Sequence, residues 1–276
     1  MQRKITKAER RLIVSSVGAI ALLGVVALFR ASINATPQVV IPPYPTAPNP
    51  NGYDVYMQAA KMIMQARPNV LDMTDGWLAR TEKESARRQP LSYKEAWLEQ
   101  NAAAFATTQK ALKMQSLSPA YSADGEFPSY AALRSLARAK IIESSTRSLR
   151  GDWNGAMQSR LDVIQMGNDT SRGGVLIGAL VSFAIQAIGR KNLESKIEKL
   201  DATQARATAK RLENLYARRI SRVEVMRAEK TFGQMETLKQ MRDPQWRSAE
   251  KWAEFSLMTA EDVSWKDRLR MATVSK

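Results

Sequence analysis

The chain has 276 residues, of which 44% are hydrophobic, and a formal net charge of +15 from 42 basic and 27 acidic side chains. It contains no cysteine and no histidine, which excludes disulfide bonds, Ser-His-Asp and Cys-His catalysis, and the usual zinc sites. Carboxylate-based chemistry and metal sites made only of carboxylates remain possible. We find no motif for a cofactor or a metal and expect neither. The net positive charge should attract the protein to anionic lipid headgroups, wall polymers or acidic proteins.

The apolar run at residues 12–29 contains no charged side chain. As a helix it would cover roughly 27 Å, which is close to the thickness of the hydrocarbon core of a bilayer. Five basic residues precede it, namely Arg3, Lys4, Lys7, Arg10 and Arg11. Because cationic segments stay in the cytoplasm, we predict a cytoplasmic basic segment at 1–11 and a single transmembrane helix at 12–30 in the inner membrane. The N-terminus would be inside, and the C-terminal domain would be periplasmic or extracellular. The alternative is a cleaved signal peptide, whose apolar core is usually shorter.

Residues 31–50 form a proline-rich segment that contains six of the eleven prolines in the chain. Proline fixes φ and removes a backbone donor, so this segment is predicted to form neither a helix nor a central strand. An extended linker is the main interpretation, and a docking site for a proline-recognising partner is the alternative. The remaining residues, 51–276, are predicted to form one α-helical extracytoplasmic domain.

Capping residues predict where the helices of this domain begin. Asp54 precedes a helix to about residue 66, and Ser92 with Glu95 forms a capping box for a helix to about residue 114. Ser129 and Asp152 precede the next two helices, which end near residues 150 and 168. Asp201 and Gln204 form a capping pair for a helix that runs to about residue 242 or breaks near Gly233. Residues 69–90 are predicted to be a loop with a short helix.

The joint between the helices that follow Ser129 and Asp152 has the sequence Gly-Asp-Trp-Asn-Gly-Ala at residues 151–156. Helices joined so closely must be antiparallel neighbours. The joint resembles the turn of a tetratricopeptide hairpin, Gly-Asp-aromatic-x-x-Ala, and the resemblance covers about residues 130–168. It implies that Ala156 lies where the helices touch, where Ser144 is small enough for close approach. No second copy is visible at a period of about 34 residues, so the resemblance implies only a helical hairpin within a bundle or short solenoid.

The most apolar stretch of the predicted domain is residues 174–189. A helix that is apolar on all sides is typical of the centre of a bundle, and we favour this interpretation. The alternative is a second membrane span, although the stretch is shorter than most spans and contains Ser182 and Gln186.

Two sets of charged residues are candidates for function. Arg211, Arg218 and Arg222 are spaced by seven and four residues, which predicts a basic stripe on one helical face that could contact an anionic surface or a partner. The alternative is a solvated helix face with intrahelical ion pairs. Glu143 and Asp162 could face each other across the hairpin, as the paired carboxylates of a glycosidase do. Alternatively, each pairs at the surface with one of Arg147, Arg150 and Arg160.

No motif in the sequence specifies a reaction. We therefore predict a membrane-anchored, non-catalytic scaffold or accessory subunit of a cell-envelope complex, which contacts the bilayer through residues 12–29 and presents helical surfaces to a protein partner. The alternatives are a carboxylate-dependent hydrolase of cell-wall glycans and a module that binds anionic lipid or polymer. The predicted compartment argues against nucleic acid as a partner.

Overall fold

The computed structural model describes residues 23–28, 41–73, 89–120 and 129–242. All regular secondary structure in these ranges is helical, which confirms the all-α class. Of the predicted anchor at 12–30 only residues 23–28 are described, and they are helical with exposed side chains. The basic segment at 1–11 and residues 74–88 lie outside the described ranges. No helix in the described ranges has both the length and the apolarity that a membrane crossing requires.

The chain divides into two compact units. One contains residues 42–233, and the other contains residues 1–41 and 234–276, of which only 23–28, 41 and 234–242 are described. The described helices from residue 51 onward are α1 Gly52–Gln65, α2 Val70–Met73, α3 Leu91–Gln100, α4 Ala102–Ala111, α5 Tyr130–Leu149, α6 Trp153–Ser171, α7 Leu176–Arg190, α8 Glu194–Ile197, α9 Ala202–Ala217 and α10 Arg222–Arg242. The unit of residues 42–233 holds α1 to α9 and the start of α10.

Helices α5 and α6 form the predicted antiparallel hairpin. At their closest approach, Ser144 Oγ donates a hydrogen bond to the Ala156 carbonyl over 2.8 Å, and both residues are fully buried. The Asp152 side chain accepts a hydrogen bond from the Gly155 amide over 2.8 Å, so the predicted helix cap is confirmed. The small side chains of Ser144 and Ala156 therefore allow the two helices to touch.

The main hydrophobic core lies where α1, α4, α5, α6 and α7 contact one another. Its largest buried apolar side chains include Trp97, Tyr56, Ile63, Leu133 and Leu136. Trp97 comes from α3, and its indole Nε1 donates to the Pro68 carbonyl over 3.0 Å. Burial of each such side chain stabilises the fold by about 1.5–3 kcal/mol, so this cluster holds the helices in fixed positions.

Two of the predicted helix starts are wrong. Asn51, rather than Asp54, caps α1, because its side-chain oxygen accepts from the Tyr53 amide over 3.2 Å. Helix α3 begins at Leu91 without a side-chain cap. The carboxylate of Glu95, which was expected to complete the capping box, instead accepts from Arg150 Nε over 2.6 Å.

The predicted continuous helices are also shorter than expected. The helix predicted from residue 92 to about 114 is interrupted at Asn101 and forms α3 and α4. The capping box of Asp201 and Gln204 is confirmed at the start of α9, but α9 ends at Ala217. A second reciprocal cap starts α10, with Ser221 Oγ accepting from the Glu224 amide and the Glu224 carboxylate accepting from the Ser221 amide. The predicted long helix is therefore interrupted before Ser221, and not at Gly233.

Helix α7 packs on α5 and α6 along one side only. Gly167 of α6 lets it approach closely, since a Cβ at Gly167 would lie 2.7 Å from Gln186 Cγ. The interpretation of residues 174–189 as a helix buried on all sides is wrong, because the opposite side of α7 is exposed. The last part of the predicted linker contacts the unit near the start of α7, where the Tyr44 hydroxyl donates to the carbonyls of Ser118 over 2.5 Å and Gly173 over 3.3 Å.

Candidate functional site

The exposed side of α7 is formed by apolar side chains. We call it the α7 face and define it by Leu176, Ile177, Leu180, Phe183, Ala184 and Ala187. The four large side chains of this face are 42–56% exposed. Leu176, Leu180, Phe183 and Ala187 follow one another at intervals of four, three and four residues, which is the spacing of a coiled-coil seam. Contiguous exposed apolar side chains of this kind mark interaction surfaces.

Hydrogen bonds on the buried side of α7 and at its first residue hold this face outward. Ser182 Oγ donates to the Gly167 carbonyl over 2.6 Å, and Gln186 Nε2 donates to Asn168 Oδ1 over 3.1 Å. The first amide of the helix, that of Leu176, donates to Glu229 Oε2 over 2.8 Å. Because three points along the helix are fixed, the α7 face is already in its exposed orientation before any partner binds, which reduces the entropic cost of binding.

The C-terminal end of the α7 face is cationic. Arg190 and Lys191 are exposed and continue the angular position of the apolar seam. Arg190 Nη2 also donates to Gln186 Oε1 over 2.5 Å, so its guanidinium is held close to the helix. A ligand that covers this face would therefore meet apolar side chains along most of its length and positive charge at one end.

The predicted carboxylate pair, Glu143 and Asp162, is brought together by a cation. Lys140, which is 1% exposed, forms an ion pair with Glu143 and lies with its Nζ 3.1 Å from Asp162 Oδ2. Arg211 Nη2 donates to Asp162 Oδ1 over 2.6 Å, and Gln109 Nε2 donates to Oδ2 over 2.8 Å. Both oxygens of Asp162 therefore have partners within the protein. We call Lys140, Glu143, Asp162, Arg211 and Gln109 the buried charge cluster.

The ion-pairing alternative fits Glu143 but not Asp162, whose cationic partners are Lys140 and Arg211. Glu143 Oε1 accepts from Arg147 Nη2 over 2.9 Å, one turn along α5. Arg150 pairs with Glu95 instead, and Arg160 donates to backbone carbonyls. The geometry is therefore that of a cluster which links helices, and it leaves neither carboxylate of the pair without a cationic partner.

The three arginines of the predicted basic stripe are not on one helical face. Arg211 lies in α9 and is engaged with Asp162. Arg218 follows the last residue of α9, and Arg222 is the first residue of α10; both are exposed. The expectation of one continuous face is wrong because the helix ends at Ala217. Contact of these residues with an anionic surface stays a prediction.

A second buried pair, Tyr56 and Asp169, was not found from the sequence. The Tyr56 hydroxyl donates to Asp169 Oδ2 over 3.0 Å in the interior of the bundle. Burial raises the pKa of Asp169, although the hydrogen bonds from Tyr56 and Gln165 lower it. Burial and the nearby Asp169 charge raise the pKa of Tyr56 well above its ordinary value. The two residues are 113 positions apart, so no local pattern connects them.

Within the described part of the chain, no three acidic side chains cluster in a way that could hold a metal ion. No family model matches the chain, and neither a curated protein nor a solved structure matches it. The resemblance of residues 130–168 to a tetratricopeptide hairpin therefore stays a prediction.

Proposed function

We propose that this chain is a membrane-anchored, non-catalytic accessory subunit of a cell-envelope complex, which binds a helix of a partner protein through the α7 face. The observation that carries the proposal is a rigidly held helix with an exposed seam of Leu176, Leu180 and Phe183. An isolated exposed apolar residue needs no explanation, but a contiguous seam over about two turns does.

The spacing of the seam favours a helix as the occupant. Intervals of three and four residues are what a second helix covers when side chains of the two helices interdigitate. The α7 helix has 15 residues and is about 22 Å long, which matches an interface of three to four turns. The partner helix would therefore carry an apolar stripe with the same spacing.

Charge complementarity adds a second requirement. Arg190 and Lys191 continue the line of the seam at its end, instead of bordering the seam along both sides as the cations of an interfacial membrane helix do. A partner helix with carboxylates at the corresponding end would pair with them. We therefore propose an amphipathic partner helix that is acidic at one end, in preference to a lipid surface.

The predicted N-terminal segments would hold this docking surface near the membrane. A helix at residues 12–29 would hold the chain in the inner membrane, and the proline-rich residues would act as the spacer. The hydrogen bond from Tyr44 to the Ser118 carbonyl supports this arrangement, because it fixes the end of the spacer on the helical unit. The ion pairs of Glu143 and Asp162 support a non-catalytic role, since Asp162 links α6 to Lys140 of α5 and Arg211 of α9, and Glu143 pairs with Lys140 within α5.

Isolation of the full chain from mildly solubilised envelopes tests the proposal. We expect one envelope protein to copurify in fixed proportion and to be lost from Leu180→Glu. The matched control is Met226→Glu, which changes an equally exposed side chain on α10 and should retain the partner. Arg190→Glu should weaken the association. Equal retention by Leu180→Glu and Met226→Glu, with unchanged helicity by circular dichroism, would show that the α7 face does not bind the partner.

A further inference from the structure

A second candidate site is a cavity of about 650 Å³. Its walls come from the start of α3, the second half of α5, Arg160 of α6, Ile188 of α7, and the segment from Lys191 to Lys196 that follows α7. A volume of this size is within the range of about 300–1,000 Å³ that is typical of small-molecule sites. The cavity is thus large enough for a ligand of moderate size.

The charged residues of the described ranges that line this cavity are cations, namely Lys94, Arg138, Arg160, Lys191 and Lys196. Lys94 is 1% exposed and Arg160 is 6% exposed. The charge of Arg160 lowers the pKa of Lys196, so these two cations repel each other, and this repulsion is relieved when an anion binds.

Arg160 supplies a donor that lacks an acceptor. Its Nη1 donates to the carbonyls of Gly189 and Lys191, but its Nε is buried and has no hydrogen-bond partner. A buried guanidinium N–H without an acceptor is unfavourable and rare. Arg160 lines the cavity, so its positive charge attracts an anion that binds there.

Lys196 is the second feature that points to an anion. Its Nζ donates to Ser148 Oγ over 2.6 Å and lies 5.6 Å from the centre of the Trp153 ring. Burial and the nearby charge of Arg160 lower the pKa of Lys196 to about 8. An ammonium group has three donors, so at least one remains for a ligand after the bond to Ser148.

The rest of the wall is apolar. Leu91, Ile141, Leu149 and Ile188 line the cavity together with the cations. A small hydrated anion alone would leave these side chains without contacts, whereas an alkyl group would pack against them and be removed from water. The combination of cations and aliphatic side chains is therefore suited to a ligand that has both parts.

We propose that this cavity binds an anionic amphiphile. Phosphate, sulfate or carboxylate oxygens of the ligand accept hydrogen bonds from Lys196 Nζ beside the positive charge of Arg160, and its alkyl part packs against Leu91, Ile141 and Leu149. The five residues named for ligand contact are not part of the α7 face, although Lys191 at the end of that face also lines the cavity.

Isothermal titration calorimetry on the full chain in phosphatidylcholine nanodiscs tests the proposal with three soluble probes. Hexyl phosphate carries both parts of the ligand, inorganic phosphate lacks the alkyl group, and 1-hexanol lacks the charge. We expect hexyl phosphate to bind at least about tenfold more tightly than either of the others. Equal binding of hexanol would overturn the role of the cations, and equal binding of inorganic phosphate would overturn the role of the apolar wall.

Variants locate the binding in this cavity. Lys196→Gln should lower the affinity for hexyl phosphate about tenfold. Lys199→Gln changes an exposed residue outside the cavity lining and should leave this affinity unchanged. Leu149→Asn should lower the affinity for hexyl phosphate and leave the affinity for inorganic phosphate unchanged. Leu149 is 60% exposed, so the fold should tolerate this change. Unaltered hexyl phosphate binding by Lys196→Gln would show that the ligand binds elsewhere.

A last arm distinguishes the source of the ligand. Nanodiscs that contain phosphatidylglycerol present an anionic phosphodiester in a bilayer. If they compete with hexyl phosphate, the site takes a membrane lipid; if they do not, it takes a soluble amphiphile. Either result is consistent with the proposed site. Absence of hexyl phosphate binding in both kinds of nanodisc would contradict it.

Discussion

Lys140 Nζ lies 3.1 Å from Asp162 Oδ2 in the interior of the bundle, where the side chains are 1% and 10% exposed. This ion pair joins the two helices of the α5–α6 hairpin, and Arg211 extends it to α9. Removing two such charges from water is unfavourable, so the cluster is stable only because each charge also has further partners. The cluster therefore fixes the relative position of three helices.

Asp162→Asn tests the role of the buried charge cluster. The change removes the negative charge between Lys140 and Arg211 and leaves two cations facing each other. We expect the free energy of unfolding to fall by about 3 kcal/mol, measured by urea titration of the full chain with circular dichroism. Glu213→Gln is the control, because this exposed residue of α9 should change stability by less than about 0.5 kcal/mol. Equal effects of the two variants would show that the cluster does not stabilise the fold.

Two glycines should respond to alanine with opposite signs. Gly173 has φ of +72°, and a Cβ there would collide with the Tyr44 hydroxyl and lie 2.9 Å from Leu117 Cδ1. Gly173→Ala should therefore destabilise the fold by about 1–2 kcal/mol or more. Gly233 lies within helix α10, and a Cβ added there would meet no atom within 4 Å. Gly233→Ala should therefore stabilise the helix by up to about 1 kcal/mol.

Thermal unfolding of both variants of the full chain measures this difference. A stable Gly173→Ala protein would show that the segment around Tyr44 is not held against the helical unit. A destabilised Gly233→Ala protein would show that α10 is not continuous through this position.

Local signals predicted the helix starts that depend only on neighbouring residues. Asp152 and Asp201 cap their helices as expected, since each acceptor bonds to an amide three residues later. The same type of signal at Ser221 and Glu224 was missed, and it would have located the break before α10. Glu95 failed as a cap because Arg150, 55 positions away, binds its carboxylate, and a local pattern cannot show this.

The candidate site depended on contacts that the sequence could not provide. The apolar run that forms α7 was evident, but the side that stays exposed is decided by where α6 packs, at Gly167 and Gln186. Arg211 was expected on a solvent-facing stripe and instead bonds to Asp162, 49 positions earlier. The cationic cavity draws its residues from four separate stretches, so no single motif marked it.

Asp169 should give the fold a measurable pH dependence. Burial raises its pKa in the folded state, so its contribution to stability is fully present below the unfolded pKa and is lost as pH rises through the folded pKa. In Asp169→Asn the new side chain is neutral at every pH, and its oxygen can still accept the hydrogen bond from the Tyr56 hydroxyl. As the pH rises from about 4 to about 7, we expect the stability of this variant, measured by urea midpoints, to increase relative to that of the unaltered protein. An identical difference between the two proteins at both pH values would contradict the effect of burial.

Lys196 should make anion binding depend on pH. Its pKa of about 8 means that it is mostly charged one unit below this value and mostly neutral one unit above. Arg160, the charged neighbour that lowers this pKa, has a pKa of about 10 and keeps most of its charge over this interval. Lys94, Arg138 and Lys191 are the other cations of the cavity.

Hexyl sulfate is the suitable probe, because its own charge is constant over this range. We expect its affinity to fall severalfold between about pH 7 and pH 9, as Lys196 loses its proton. The decrease should be absent from Lys196→Gln and present in Lys199→Gln. A pH profile that is the same in all three proteins would assign the titration to another group.

Photo-crosslinking from position 183 in the full chain, in intact cells, tests the proposed docking most directly. A photoreactive residue in place of Phe183 should give one major product with a single envelope protein, mapped by mass spectrometry to an amphipathic helix. The product should disappear in Leu180→Glu and should not form from Tyr216, which is 64% exposed on α9. Products with lipid or with a second copy of this chain, or equal products from Tyr216, would contradict a partner helix on the α7 face.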